Sequence, residues 1–204
     1  AKLLSIRKKN IDDISQFLDP KIKNLLPNPN QLKDMKKAVD RTYKSILKNE
    51  IIGVFGDYDV DGASSTALLA RYFTSINLGI KTYVPDRQTE GYGPNNKGFK
   101  NLIDNNAKII FTVDCGTLSF EPIKYAQSLN IDVIVLDHHQ SDTKLPSACA
   151  IVNPNRYDDT SGLNYLCAAG VCFVFLVGLN KKLREEGWFV KNNTKEPNII
   201  NFLD

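Results

Sequence analysis

Ile51-Ile52-Gly53-Val54-Phe55-Gly56-Asp57-Tyr58-Asp59-Val60-Asp61-Gly62 is the stretch whose reading decides the fold. It opens on a continuous apolar run. A strand with one wet face alternates, whereas a strand buried on both faces of a parallel sheet does not. The character then changes within one residue. Three aspartates stand at alternate positions, framed by Gly56 and Gly62. The glycines permit a tight turn and close backbone approach, and an extended loop would aim Asp57, Asp59 and Asp61 to one side.

Downstream, the same strand–helix unit recurs. A helical pattern runs from about Ser64 to Ser75, and Lys81-Thr82-Tyr83-Val84 is a short strand. Asn96 to Asn105 reads as helix, Lys108-Ile109-Ile110-Phe111-Thr112-Val113 as strand, and Phe120 to Leu129 as helix. Asp132-Val133-Ile134-Val135-Leu136 is a fourth strand and Ala148 to Val152 a fifth. Strands alternating with helices give an α/β domain with a mainly parallel sheet flanked by helices. Upstream, residues 1–49 form a polar helical extension, with apolar groups at helical spacing from Asp34 to Leu47 after the breaker Leu26-Pro27-Asn28-Pro29-Asn30. The division expected is 1–49 for this extension and 50–204 for the α/β domain.

In an open parallel sheet, ligands bind beyond the carboxyl ends of the strands. Those ends share one chemistry here. The first strand runs into Asp57, Asp59 and Asp61, the third into Asp114-Cys115-Gly116, the fourth into Asp137-His138-His139, and the second towards Asp86-Arg87. A carboxylate adds no apolar area, and crowding several together without a counter-charge costs stability. A divalent cation removes the conflict. Oxygen ligands with one imidazole suit Mn²⁺ or Mg²⁺ better than zinc. The Asp-x-Asp-x-Asp-Gly string resembles the start of a calcium loop, but its twelfth position is Leu68 rather than Glu and a strand precedes it. Each aspartate taken singly has a simpler role, as a turn or helix cap. A thiol nucleophile at Cys115 has no third histidine to serve as its base, and no G-x-S-x-G elbow supports a serine triad at Ser64 or Ser65.

The chain has 204 residues and a net charge of +3, enough length for one sizeable core and a mild bias towards an anionic partner. The basic residues Lys2, Arg7, Lys8, Lys9, Lys21, Lys23, Lys33, Lys36, Lys37, Arg41, Lys44 and Lys48 all precede the first strand. They are either a solvated helical face or a nucleic-acid surface. Cys115, Cys149, Cys167 and Cys172 form no C-x-x-C pair and read as small buried residues of a reducing compartment. No signal peptide is recognisable, and the apolar stretch Leu163 to Leu179 is too short and too interrupted to span a membrane, so it is expected as a core helix. A cytoplasmic location follows as an expectation.

Together, Gly56 to Gly62, Val113-Asp114-Cys115-Gly116 and Asp137-His138-His139 resemble the first three motifs of the DHH phosphoesterase superfamily. Phe17-Leu18-Asp19-Pro20, Pro85-Asp86-Arg87, Glu90-Gly91-Tyr92-Gly93, Ile151-Val152-Asn153-Pro154-Asn155 and Leu166 to Val171 are similar to its RecJ branch, over nearly the whole chain. The resemblance implies a 5′→3′ exonuclease for single-stranded DNA that releases mononucleotides by two-metal hydrolysis, in DNA repair and recombination. It implies one ion on Asp59 and Asp114 with Asp57 close by, and a second on Asp61, Asp114 and His138, with Asp114 bridging. His139 would contact the scissile phosphate, Asp137 would orient the histidines, and Arg87 would meet phosphate. Tyr58 and Tyr92 would offer faces for bases. Single-stranded DNA is the implied partner, with a single-strand-binding protein and a helicase as further ones.

RecJ proteins carry a fourth motif with one more aspartate. The sequence stops at Asn201-Phe202-Leu203-Asp204, before that motif, so weak or no activity is expected of these 204 residues alone. Two rival functions remain: a DHH phosphodiesterase for short oligonucleotides or cyclic dinucleotides, and a non-catalytic DHH-fold binding module. The first is disfavoured because no H-x-N-P-D-type first motif is present, the second because Asp59, Asp61, Asp114 and His138 are intact.

Overall fold

The structure, a computed structural model, describes residues 14–203 and, before them, residues 6, 7, 10 and 12. Lys2, Lys8, Lys9 and Asp204 lie outside the described residues. Five strands, β1 (Ile51–Gly56), β2 (Ile80–Tyr83), β3 (Ala107–Val113), β4 (Asp132–Leu136) and β5 (Ala150–Val152), form one sheet in the order β2-β1-β3-β4-β5. Every neighbouring pair is parallel. The helices are α1 (Ile14–Leu18), α2 (Ile22–Leu25), α3 (Met35–Leu47), α4 (Val60–Ser75), α5 (Asn96–Asp104), α6 (Phe120–Ser128), α7 (Ala168–Glu185) and α8 (Trp188–Lys191). The chain is therefore α/β, as its periodicity indicates.

Both faces of the central strands are covered, which is why β1, β3 and β4 read as apolar runs, whereas the edge strand β2 keeps Lys81 and Thr82 exposed. Ile52, Val54, Ile109, Phe111, Ile134 and Leu136 face one way and pack with α3, α4 and α7. Phe55, Ile110, Val133, Val135 and Ile151 face the other way and pack with Phe99 and Leu102 of α5 and Ile123 of α6. Met35, Ala38, Val39 and Ile46 of α3 belong to the first of these cores, so this helix is built into the sheet's own core. The apolar stretch expected as a core helix does form one, but from Ala168. None of the described helices is long and apolar enough to cross a membrane.

The strand order reverses direction between β1 and β3, which makes the cleft beyond their carboxyl ends the topological switch point. The opposite end of the sheet is pinned by Arg41. This residue bonds Asp132 at the start of β4, Glu50 just before β1, and Ser45 within its own helix. Arg41 thus ties the sheet together away from the carboxylates. Lys21, Lys33, Lys36 and Lys37 each pair with a nearby aspartate, so much of the amino-terminal positive charge is locally balanced.

Candidate metal centre

α4 begins at Val60, four residues before the helical pattern becomes legible, because Asp59 is its N-cap and accepts from Gly62 N at 2.9 Å. The three aspartates therefore do not share an extended loop. Asp57 follows the strand, Asp59 caps the helix, and Asp61 rides on the first helical turn. Gly62 makes this possible, since a Cβ there would lie 2.5 Å from the backbone oxygen of Asp57. Asp61 also reaches across the fold. Its two carboxylate oxygens accept from Ala168 N and Ala169 N, both at 2.8 Å, at the start of α7, while Oδ2 stands 3.6 Å from His138 Nε2.

Asp114 follows β3 with φ of 58°, a left-handed conformation that turns the chain sharply at the strand end. Its Oδ1 lies 3.3 Å from His138 Nε2 and 4.0 Å from His139 Nδ1. Two groups of ligand atoms come together around it. Asp57, Asp59 and Asp114 form one, Asp114, His138 and His139 the other, with the atoms of each within 4.8 Å of one another. Asp114 is common to both, flanked by the strands on either side of the switch point. Asp57 is 3% and Asp114 2% exposed, yet Oδ1 of each accepts no hydrogen bond among the described residues. Buried carboxylate oxygens without donors are costly, and a hard divalent cation is the partner that suits them.

The electrostatics follow from this crowding. Burial, with the charges of Asp61 and Asp59, pushes the Asp114 carboxyl up to about 8. Burial also raises Asp57, whereas the Gly62 N–H holds Asp59 below the usual carboxylate range. Asp137, 1% exposed, has a different environment. Burial opposes its ionisation, but hydrogen bonds from His139, Thr117 and the His138 backbone outweigh that and lower it. Its Oδ1 accepts from His138 N at 2.7 Å, His139 N at 3.2 Å and His139 Nδ1 at 2.7 Å, and its Oδ2 from Thr117 N and Oγ1 at 3.1 and 2.6 Å. Donation from Nδ1 to Asp137 raises His139 in turn.

Tyr92 and Arg87 arrive on the β2–α5 connection. Tyr92 donates to the Asp114 carbonyl at 3.2 Å and sets its ring edge-on to His139, and is still 56% exposed. Arg87 lies over the Tyr58 ring, 5.2 Å from its centroid, rather than among the carboxylates, although its charge lowers Asp57. Asp86 is not gathered into the cluster. Its Oδ1 takes Gln88 N and Thr89 N, closing a local turn. The connection is organised by Glu90, which accepts from Tyr83 Oη at 2.7 Å and Asn95 Nδ2 at 3.2 Å. Not all the cysteines are buried: Cys115 and Cys172 are, Cys149 is half-buried, and Cys167 is exposed where α7 begins.

Thr117, Asn153 and Asn155 escape a reading based on charge. Asn153 and Asn155 follow β5 as the aspartates follow β1, β3 and β4, so the strand-end position was their available signal. A neutral amide gave no reason to place them in a metal centre.

The fold and these carboxylates define a class. Residues 51–199 match the DHH family, N-terminal domain, and the chain belongs to that family. It is similar to the single-stranded-DNA-specific exonuclease RecJ of Escherichia coli (strain K12), 38% identical over 191 residues, covering 93% of this chain and 33% of that protein. It is also similar to the RecJ of Bacillus subtilis (strain 168), 36% identical over 159 residues, covering 78% of this chain and 20% of that protein. A crystal structure of exonuclease RecJ bound to manganese superposes with a TM-score of 0.68 at 28% identity, covering 74% of this chain and 38% of that one. The chain thus spans a third or less of the length of these two relatives.

Proposed function

We propose that this chain forms the metal-dependent hydrolytic core of a single-stranded-DNA-specific 5′→3′ exonuclease that releases mononucleotides. The observation that carries the proposal is the placement of Asp114: one buried carboxylate, its Oδ1 without a donor, shared by two ligand groups. Mn²⁺ or Mg²⁺ suits this donor set, and the manganese-bound RecJ relative has the same fold. Asp57, Asp59 and Asp114 would hold one ion, and Asp61, Asp114 and His138 the second. When bound, such a pair supplies the positive charge that an in-line phosphodiester displacement needs at its attacking and leaving oxygens.

The chain's own side chains do the rest. Asp137 is an acceptor only, so the proton in its bond to His139 sits on Nδ1. Nε2 then faces the Tyr92 hydroxyl at 3.3 Å, and in the imidazolium form it would donate to the substrate phosphate in place of that contact. Arg87, spread on Tyr58, presents a planar guanidinium suited to a second phosphate. Tyr92 closes the cleft beside His139 and offers an exposed ring to a base. A role in DNA repair and recombination, a cytoplasmic location, and contacts with a single-strand-binding protein and a helicase belong to the same proposal and rest on the likeness to RecJ.

The test is digestion of single-stranded DNA by the full-length protein, with the label at one end or the other; these 204 residues alone are expected to show weak or no turnover. Mn²⁺-dependent release from the 5′ end, sparing duplex and abolished in Asp114→Asn, is the expected result. Equal rates in that variant, or turnover confined to dinucleotides and cyclic dinucleotides, would overturn the proposal.

A further inference from the structure

We infer that Asn153 is a positioning residue that clamps the His138–His139 backbone and so sets both imidazoles at the metal centre, an inference that rests on the metal-centre reading above. Asn153 follows β5 directly and is fully buried. Its Oδ1 accepts from Asn155 N at 2.7 Å, the ordinary work of an asparagine in a turn. Its amide nitrogen does something else. Nδ2 donates to the His139 carbonyl at 2.9 Å and to Thr117 Oγ1 at 2.8 Å, both outside its own turn. Asn155 Nδ2 donates to the carbonyl of His138. Two amides from one loop therefore hold the carbonyls of both histidines.

The hydrogen-bond directions are forced. Ionised Asp137 can only accept, so the Thr117 hydroxyl gives it its single proton. Thr117 Oγ1 must then receive a proton from Asn153. Turning the Asn153 amide over would set its oxygen against the His139 carbonyl, so the orientation follows from chemistry. The result is one directed chain, from Asn153 through Thr117 to Asp137, and from His139 Nδ1 back to Asp137. The histidine side chains are 32% and 47% exposed, so packing alone does not hold the rings. Tyr92 touches one ring and Asp61 and Asp114 the other, but the direction in which each ring leaves the chain is set by the backbone beneath it and, for His139, by the bond to Asp137. Loss of partners that orient metal ligands in this way lowers metal affinity about 10–100-fold.

The test compares Asn153→Asp and Thr117→Val in the purified protein. The first keeps the shape and the Oδ1 bond but removes both donors, and the second removes only the relaying hydroxyl and serves if the first fails to fold. Mn²⁺ affinity is read by electron paramagnetic resonance titration, and the His139 tautomer of the metal-free protein by ¹⁵N correlation spectra. Affinity is expected to fall about 10–100-fold, and the Nδ1–H signature of His139 to weaken, while unfolding stays cooperative. Asp114→Asn is the control. If it abolishes Mn²⁺ binding while Asn153→Asp and Thr117→Val bind as the unmodified protein does, the role assigned to Asn153 is wrong and the metal centre stands. If Asp114→Asn itself binds Mn²⁺ normally, the metal-centre reading fails instead.

Discussion

Replacing Asp114 with asparagine should abolish metal binding and yet stabilise the metal-free protein. The side chain is buried, its Oδ1 has no hydrogen-bond donor, and its carboxyl is raised from 3.8 to about 8 by burial and by the charges of Asp61 and Asp59. In the unfolded chain the group ionises near its ordinary value. As pH rises from there, the unfolded state loses this proton and the folded state keeps it, so the group's contribution to stability falls until the folded value is passed. A shift of this size corresponds to a ceiling on the order of 6 kcal/mol; relaxation and water entry reduce it to about 2–4 kcal/mol at pH 8. Asparagine removes the charge at nearly constant volume. It also tolerates the left-handed backbone at this position, which alanine would strain.

The assay is urea unfolding of both proteins in a chelator at pH 5, 6, 7 and 8. The advantage of the variant should grow across that series and level off above pH 8. Saturating Mn²⁺ should reverse the order, because a ligand at about 1,000 times its dissociation constant adds about 4.1 kcal/mol to the protein that binds it and nothing to the one that does not. An Asp114→Asn variant less stable than the parent in chelator at pH 8, or a difference flat with pH, would refute the reasoning.

Gly62→Ala should cost both stability, by about 1–3 kcal/mol, and Mn²⁺ binding, since the added methyl meets the backbone of Asp57; calorimetry with and without Mn²⁺ reads both. Arg41→Met should lower stability by about 1–3 kcal/mol and leave Mn²⁺ affinity unchanged, because Arg41 ties Asp132 and Glu50 at the far end of the sheet. A Mn²⁺ affinity that moves with Arg41 would contradict that placement.

The fold was largely legible in order. Continuous apolar runs meant strands buried on both faces, and their alternation with helical patterns meant a parallel sheet. Strand-end aspartates pointed to the cleft, because helices and strands are local and their carboxyl ends carry the loops. Helix α4 was placed four residues late, since Val60 and Gly62 are poor helix formers and only the cap made by Asp59 shows the true start. The apolar stretch from Leu163 was likewise legible as a buried helix, but its start at Ala168, where Asp61 receives the first amides, depends on a residue more than one hundred positions away.

By itself, then, the amino-acid order determined the sheet and pointed to a class of ligand and to the strand-end side chains proposed to meet it, because these follow from short-range periodicity and from side-chain chemistry. A shared Asp114 was already implied by the likeness to DHH proteins; only the tertiary structure decided that Asp61 also caps α7, that Arg87 lies on Tyr58, and that Asn153 bonds Thr117 and the His139 carbonyl. Those are distances between loops on different strands. They are set by strand order and register, which a linear pattern of residues does not contain.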